Sequence, residues 1–198
     1  MLDFILALVA SPLIYLVVLG VCAGDAVFPV LPSESVLIAL GVLAAAEGDI
    51  SLGLLIVCGI VGALVGDHIA YGLGRKAGPA VKERYLAGEK RARLVAKLER
   101  GLQLRGGSAI LVGRYVPGGR TAVAMLAGSM RFPLRVFTPF DVVAAVTWSL
   151  YGCLLGYWGG KTFENTWTAL AVAFTIAFVL FLVSELVRYL WERRTATT

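Results

Sequence analysis

Apolar residues run along this chain in long blocks, and the polar positions between them mark where each block begins and ends. Phe4 to Gly24 is 21 residues without a charge, enough for one helix to cross the roughly 30 Å hydrocarbon core of a bilayer. Pro12 lies inside the block and predicts a kink. The next stretch, "DAVFPVLPSESVLIALGVLAAAEGD", covers residues 25–49 and is built differently. Asp25, Pro29, Pro32 and Glu34 crowd its head, and the uncharged tail from Ser35 to Ala46 has 12 residues, too few to span. The two prolines break the helix, and broken backbone survives at membrane depth only where protein buries it or water reaches it. The pattern predicts a re-entrant hairpin near 25–46. Ile50 to Gly66 is apolar again and is followed by Asp67, His68 and "IAYGLG" up to Arg75. It predicts a second spanning helix with a polar pair near one end. Gly53, Gly59, Gly62 and Gly66 would let neighbouring helices approach it closely.

Residues 80–105 change period. Val81, Tyr85, Gly88, Ala92, Val95, Leu98 and Leu102 recur at three- and four-residue spacing, with Lys, Arg and Glu between them. This predicts an amphipathic helix lying on the bilayer surface, or a soluble helix packed on the protein. Gly106 to Met130 is interrupted by Arg114, Pro117, Gly118, Gly119 and Arg120, so neither side reaches spanning length and a second re-entrant hairpin is expected there. "RFPLR", residues 131–135, marks a membrane boundary. Val136 to Gly160 then spans, with Asp141 near its start and Tyr157 and Trp158 at its far end. A short loop, Lys161 to Thr166, leads to a last span from Trp167 to Val187, and "RYLWERR" anchors the tail.

Composition turns these blocks into a class. Of the 198 residues only 16% are charged and 59% are hydrophobic, with a mean hydropathy of +0.83. A soluble domain carries about 25% charged residues. The expectation is therefore an all-α polytopic membrane protein: one domain over 1–198, about four transmembrane helices, two opposed re-entrant helical hairpins and a cytoplasmic amphipathic helix. Its first half would be 1–79, the surface helix 80–105 and the second half 106–198. The net charge is +5, and 10 of the 18 Lys and Arg lie between 75 and 105 against three acids there. Elsewhere the chain is too apolar for a nucleic-acid binder, so this loop is read as cytoplasmic and seated on an anionic membrane surface. Arg131, Arg135, Arg188, Arg193 and Arg194 belong on the same side, which puts both termini in the cytoplasm. The first hairpin would then enter from outside and the second from inside, the pattern of an inverted repeat. That symmetry rests on hydropathy alone. The N-terminal block lacks a basic n-region and reads as a retained helix, not a cleaved signal.

Candidate chemistry centres on "GRYVPGGRTAVAMLAG", residues 113–128. An arginine at the bilayer centre costs about 2.5–3.5 kcal/mol on insertion scales, so Arg114 and Arg120 must be paired, wetted or shallow. Asp25, Glu34 and Asp67 are the acids of the other half able to reach that depth. In one reading both arginines face a water-filled cavity opposite Asp25 and Glu34. There the guanidinium forks, with the N–H groups of Gly118 and Gly119 exposed by the turn at Pro117, would hold an anionic head group. Protonating one of the acids would free an arginine for it. In the other reading static salt bridges pin two hairpins together; against apolar packing, buried pairs stabilise poorly. Asp67 and His68 are open to two roles, a proton relay or a polar pair at a helix end. Asp141 would neutralise an arginine or sit at the interface. Trp148, Tyr151, Tyr157 and Trp158 read as packing and interface anchors. Cys22, Cys58 and Cys153 sit in apolar runs as small buried hydrophobes. The single histidine and scattered acids exclude a ligand set for a metal, no cofactor is implied, and no nucleophile–base pair suggests an enzyme.

These motifs, in this order, resemble those of the DedA family, also called the SNARE-associated or VTT-domain superfamily. "DAVFPVLPSE" resembles its acidic element with two prolines, here beginning with Asp25 where many members carry Glu. "GALVGDHIAYGLGRKAG" is similar to its glycine-rich segment, and "GRYVPGGRTAVAMLAGSMRFP" to its paired-arginine element. The resemblance implies two opposed re-entrant loops and proton-dependent transport of lipids across a bacterial inner membrane. Undecaprenyl phosphate recycled to the cytoplasmic leaflet is the leading substrate. A less selective phospholipid scramblase or a proton-coupled small-molecule transporter is the alternative, and a homo-oligomer is left open. By position Arg114 and Arg120 correspond to the family's arginine pair, and Asp25 and Glu34 to its acids.

Overall fold

The computed structural model describes residues 11–28, 33–46, 50–85, 96, 99–104, 106–114, 119–162 and 175. The described residues are helical, with no strand among them. In chain order the helices are α1 (Leu13–Val27), α2 (Ser33–Ala46), α3 (Leu52–Tyr85), α4 (Ser108–Arg114), α5 (Gly119–Ser129) and α6 (Leu134–Thr162). The stretch 99–104 is helical too. The expected final span, the basic tail, most of the 80–105 surface helix and the residues before 11 lie outside the described residues, as do Pro29, Pro32, Pro117 and Gly118.

Two of these helices are long and apolar enough to cross a membrane: Leu52–Ala77 within α3, and α6. The others are short. At 1.5 Å per residue α2 extends about 21 Å and α5 about 16 Å, below the thickness of the hydrocarbon core. Three expectations about boundaries change. Pro12 stands at the N-terminal cap of α1, where its missing N–H costs nothing, and so kinks nothing in the described helix. Asp25 lies in the last turn of α1, because that helix runs to Val27 before the Phe28 N–H bonds back to the Gly24 carbonyl; the end of the helix falls after Asp25, not at it. Finally, α3 continues through residues 79 and 80 to Tyr85, so the boundary expected there falls inside a helix.

Each half contributes a broken pair of short helices followed by a long one: α1, α2 and α3, then α4, α5 and α6. Packing between the halves is reciprocal. The second arm of each pair lies along the long helix of the other half, α2 on α6 and α5 on α3, while α1 runs beside α3 and α4 beside α6. Glycines make these approaches close. A methyl group on Gly156 would strike the Ile38 carbonyl, on Gly41 the Cys153 carbonyl, on Gly74 the Met125 carbonyl and on Gly128 the Tyr71 carbonyl. Backbones this near gain dispersion contacts along the whole crossing, which is how helices associate where lipid removes the hydrophobic drive. At the end of α5 the chain reverses through Arg131, which has a φ of 54°. The Arg131 N–H bonds the Gly128 carbonyl and the Phe132 N–H bonds that of Ala127, a Schellman cap with arginine where glycine is usual.

The apolar interior is split in two. One cluster joins α1, α2, the first half of α3 and the second half of α6 around Val18, Leu37, Leu55 and Cys153. The other joins the later part of α3, Leu102, α4, α5 and the start of α6 around Tyr71, Val123, Ala127 and Phe137. On α3 the first cluster ends at Ala63 and the second begins at Ala70; on α6 the second ends at Phe137 and the first resumes at Ala145. Asp67 and Asp141 fall in those two gaps.

Candidate functional site

Five ionisable side chains from five helices fill the layer between the two apolar clusters. Asp25 ends α1, Asp67 lies mid-way along α3, Arg114 ends α4, Arg120 opens α5, and Asp141 is in the second turn of α6. Asp67 and Asp141 are 1% and 2% exposed. Helix α4 terminates on Arg114 and α5 starts at Gly119, so each arginine reaches the layer from the end of its own helix.

The contacts run as a chain of alternating charge. The Ser33 hydroxyl donates to Asp25 Oδ2 at 2.6 Å. Arg120 Nη1 reaches the same oxygen at 3.4 Å, and its Nε donates to Asp67 Oδ1 at 2.7 Å. The other oxygen of Asp67 accepts from Arg114 Nη1 at 2.8 Å, and that nitrogen also reaches Asp141 Oδ1 at 3.4 Å. Asp141 Oδ2 lies 3.6 Å from Nδ1 of His68. Trp148 lies beside both cations, with its ring centroid 5.2 Å from the Arg114 guanidinium carbon and 5.7 Å from that of Arg120, within the range of cation–π attraction.

Satisfaction is uneven along this chain. Arg120 uses its whole fork, since its Nη2 also donates to the Cys22 and Ala63 carbonyls at 3.3 and 3.0 Å. Arg114 does not: its Nε and Nη2 are buried without a hydrogen-bond partner among the described residues, and so is Asp141 Oδ2. A buried donor left unpaired costs about 1–3 kcal/mol, more when charged. The crevice beside these groups is lined by Asp67, Ile110, Arg114, Arg120, Val123, Ala124, Phe137 and Asp141 and has room for about one water molecule.

Several expectations change in this geometry. The arginines do not face a broad cavity opposite Asp25 and Glu34. Arg114 is paired to Asp67 and Asp141, Arg120 to Asp67 and Asp25, and the space between them is narrow. Glu34 is exposed in the first turn of α2 and joins neither arginine. The reason is helical phase: Ser33 is the residue turned toward Asp25, and the next position points about 100° away. Asp67 is not at a helix end, because α3 continues to Tyr85. Asp141 takes the first of its two expected roles and meets an arginine. Trp148 is part of the site as well as of the packing. Gly119 is buried as the first residue of α5. No group of His, Cys, Asp and Glu suited to a metal ion occurs among the described residues.

The family described as the VTT domain matches residues 31–158, a span holding every charged member of the cluster except Asp25. An uncharacterized membrane protein of Mycobacterium tuberculosis is 35% identical over 137 residues, 68% of this chain and 60% of that protein. Protein DedA of Escherichia coli K12 is 28% identical over 169 residues, 84% of this chain and 77% of its own. Undecaprenyl phosphate transporter A of Bacillus subtilis is 26% identical over 172 residues, 84% of each chain. This chain thus spans 60% of the length of the mycobacterial relative. No solved structure gives a significant match.

Proposed function

Because the chain belongs to the VTT-domain, or DedA, family of membrane proteins, we propose that it moves a lipid phosphate between leaflets of a bacterial inner membrane, with undecaprenyl phosphate as that lipid. The two broken helix pairs enter the bilayer as re-entrant hairpins from opposite faces and meet at the charged layer. The polyprenyl tail stays in the lipid while the phosphate visits the layer.

One observation carries this reading: two nitrogens of Arg114, Nε and Nη2, are buried beside a crevice with no partner among the described residues. A guanidinium fork suits the paired oxygens of a phosphate. In this arrangement the carboxylates occupy the place of the head group, so loading requires Asp141 or Asp67 to release Arg114. With every acid ionised and the imidazole uncharged, three carboxylates against two arginines leave the layer one negative charge in excess. Taking up a proton removes that excess and favours an incoming anion, which links lipid loading to protons.

Reconstituted flux tests the proposal. Vesicles containing the protein should translocate undecaprenyl phosphate faster than phosphatidylethanolamine, and Arg114→Ala should reduce the first rate by at least about tenfold, the equivalent of 1.4 kcal/mol. Equal rates for the two lipids would replace the selective reading with a general scramblase.

A further inference from the structure

We infer that His68 and Asp141 form the proton-loading pair of the charged layer, with the proton received at His68 Nε2 and its charge delivered to the Asp141 carboxylate; this rests on the translocation reading above for its consequence, not for its geometry. The layer contains many oxygens that could take a proton. Both oxygens of Asp67 already accept from arginines, and Asp25 Oδ2 accepts from Ser33 and Arg120. Within the layer, Asp141 Oδ2 is the carboxylate oxygen that is buried with no hydrogen bond to a described residue. It faces one titratable nitrogen, His68 Nδ1, at 3.6 Å.

The imidazole is arranged to gain a proton without losing a contact. Nδ1 lies 2.8 Å from the Leu64 carbonyl, which can only accept, so neutral His68 carries its hydrogen there. Nε2 then accepts from the Thr138 hydroxyl at 3.0 Å. When Nε2 binds a proton it donates to the same hydroxyl oxygen, which accepts as readily as it donates. The resulting cation sits beside Asp141. In a second step the Nδ1 proton can pass to Asp141 Oδ2, giving up its bond to the Leu64 carbonyl and leaving the new proton on Nε2; one proton has entered, both groups are neutral and the layer has lost its excess negative charge. Asp141 then has less hold on Arg114 Nη1, the nitrogen it shares with Asp67.

The surroundings fit this assignment. Asp141 is faced by Asp67 and His68 from α3 and by Arg114 from α4; Arg120 from α5 lies beyond Asp67. His68 meets Asp141, Thr138 and the edge of the Phe137 ring on α6. The His68 side chain is 37% exposed while that of Asp141 is 2% exposed, so the pair connects a partly exposed side chain to a buried one. His68 stands nine residues before Ala77 on α3, about 14 Å of helical rise, on the side of the layer that carries Arg75 and Lys76.

The test compares the pH dependence of undecaprenyl phosphate binding by the full chain in nanodiscs, between pH 8 and 5.5, for wild type, His68→Gln and Asp141→Asn. The lipid's own second ionisation near pH 6 acts equally on all three and cancels in the comparison. The affinity of the wild type should rise more steeply as pH falls, by up to about tenfold per pH unit, the one-proton limit; both variants should lose that excess slope. Parallel profiles for wild type and His68→Gln would overturn the assignment. If neither binds the lipid, the translocation reading fails by itself and the pair is judged by NMR. The chain has a single histidine, so ¹⁵N-histidine labelling gives one imidazole. A midpoint that moves on Asp141→Asn supports the pair; an imidazole that stays neutral throughout, or titrates identically in both proteins, overturns it.

Discussion

Arg114 ends α4 and Arg120 lies in the first turn of α5, yet one closes the structure and the other leaves it unfinished. Arg120 opens α5 and ties it to α1 and α3 through two carboxylates and two backbone carbonyls, with every nitrogen of its fork engaged. Arg114 is more deeply buried and uses one nitrogen for two acids, while the other two have no partner among the described residues. The position of each in its helix is part of the reason. A cation at a helix C-terminus is favoured by the helix dipole and one at an N-terminus is not. Arg120 therefore needs the carbonyls at the facing helix surfaces, whereas Arg114 is already supported by its own helix and can keep donors in reserve. The lesson is a division of labour: Arg120 holds the halves together, and Arg114 is the cation available to a visiting anion.

The largest effect should come from breaking the clamp. Arg120→Ala strips Asp67 and Asp25 of a buried partner, a change that costs about 3–5 kcal/mol, and should lower the thermal midpoint in detergent sharply. Arg114→Ala removes two unsatisfied donors along with its bonds, so its loss of stability should be less than half as large. Equal losses would erase the distinction. Next come the glycine crossings that press the halves together. Gly156→Ala drives a methyl group into the Ile38 carbonyl, and overpacking of this kind costs about 1–3 kcal/mol; chemical denaturation should register it, while Gly20→Ala, with open space around it, should not. Smaller still is the coupling of Trp148 to each arginine, about 0.5–2 kcal/mol. Double-mutant cycles of Trp148→Leu with Arg114→Met and with Arg120→Met would show whether the indole favours the poorly paired cation. Smallest is Glu34→Gln, which should change stability by less than about 0.5 kcal/mol, since Glu34 touches neither arginine.

Much of this was legible in the hydropathy. Lone arginines in an apolar stretch announced a charged layer, and the Pro-Gly-Gly break announced that two short arms would present them. The identity of the partners was not legible, because it depends on helical phase and on which helices cross. Asp25 and Glu34 look equivalent in "DAVFPVLPSE", but the first closes α1 facing the layer and the second faces away. Asp67 looked like a helix end because Arg75 and Lys76 follow closely, yet α3 runs past them. Asp141 and Trp148 carried the available signal: an acid alone inside an apolar helix, and an indole two turns further along the same helix. Two turns is the spacing that puts side chains on one face, and here that face is the one turned to the arginines.

The division between the two arginines is tested most directly by titrating undecaprenyl phosphate, and undecaprenol as its uncharged counterpart, into nanodisc-embedded wild type and Arg114→Ala. Losing charge-assisted hydrogen bonds worth about 1.5–3 kcal/mol should weaken binding of the phosphate by about 10- to 150-fold in the variant and leave binding of the alcohol unaltered. Phosphate affinity that is the same in both proteins would contradict the account.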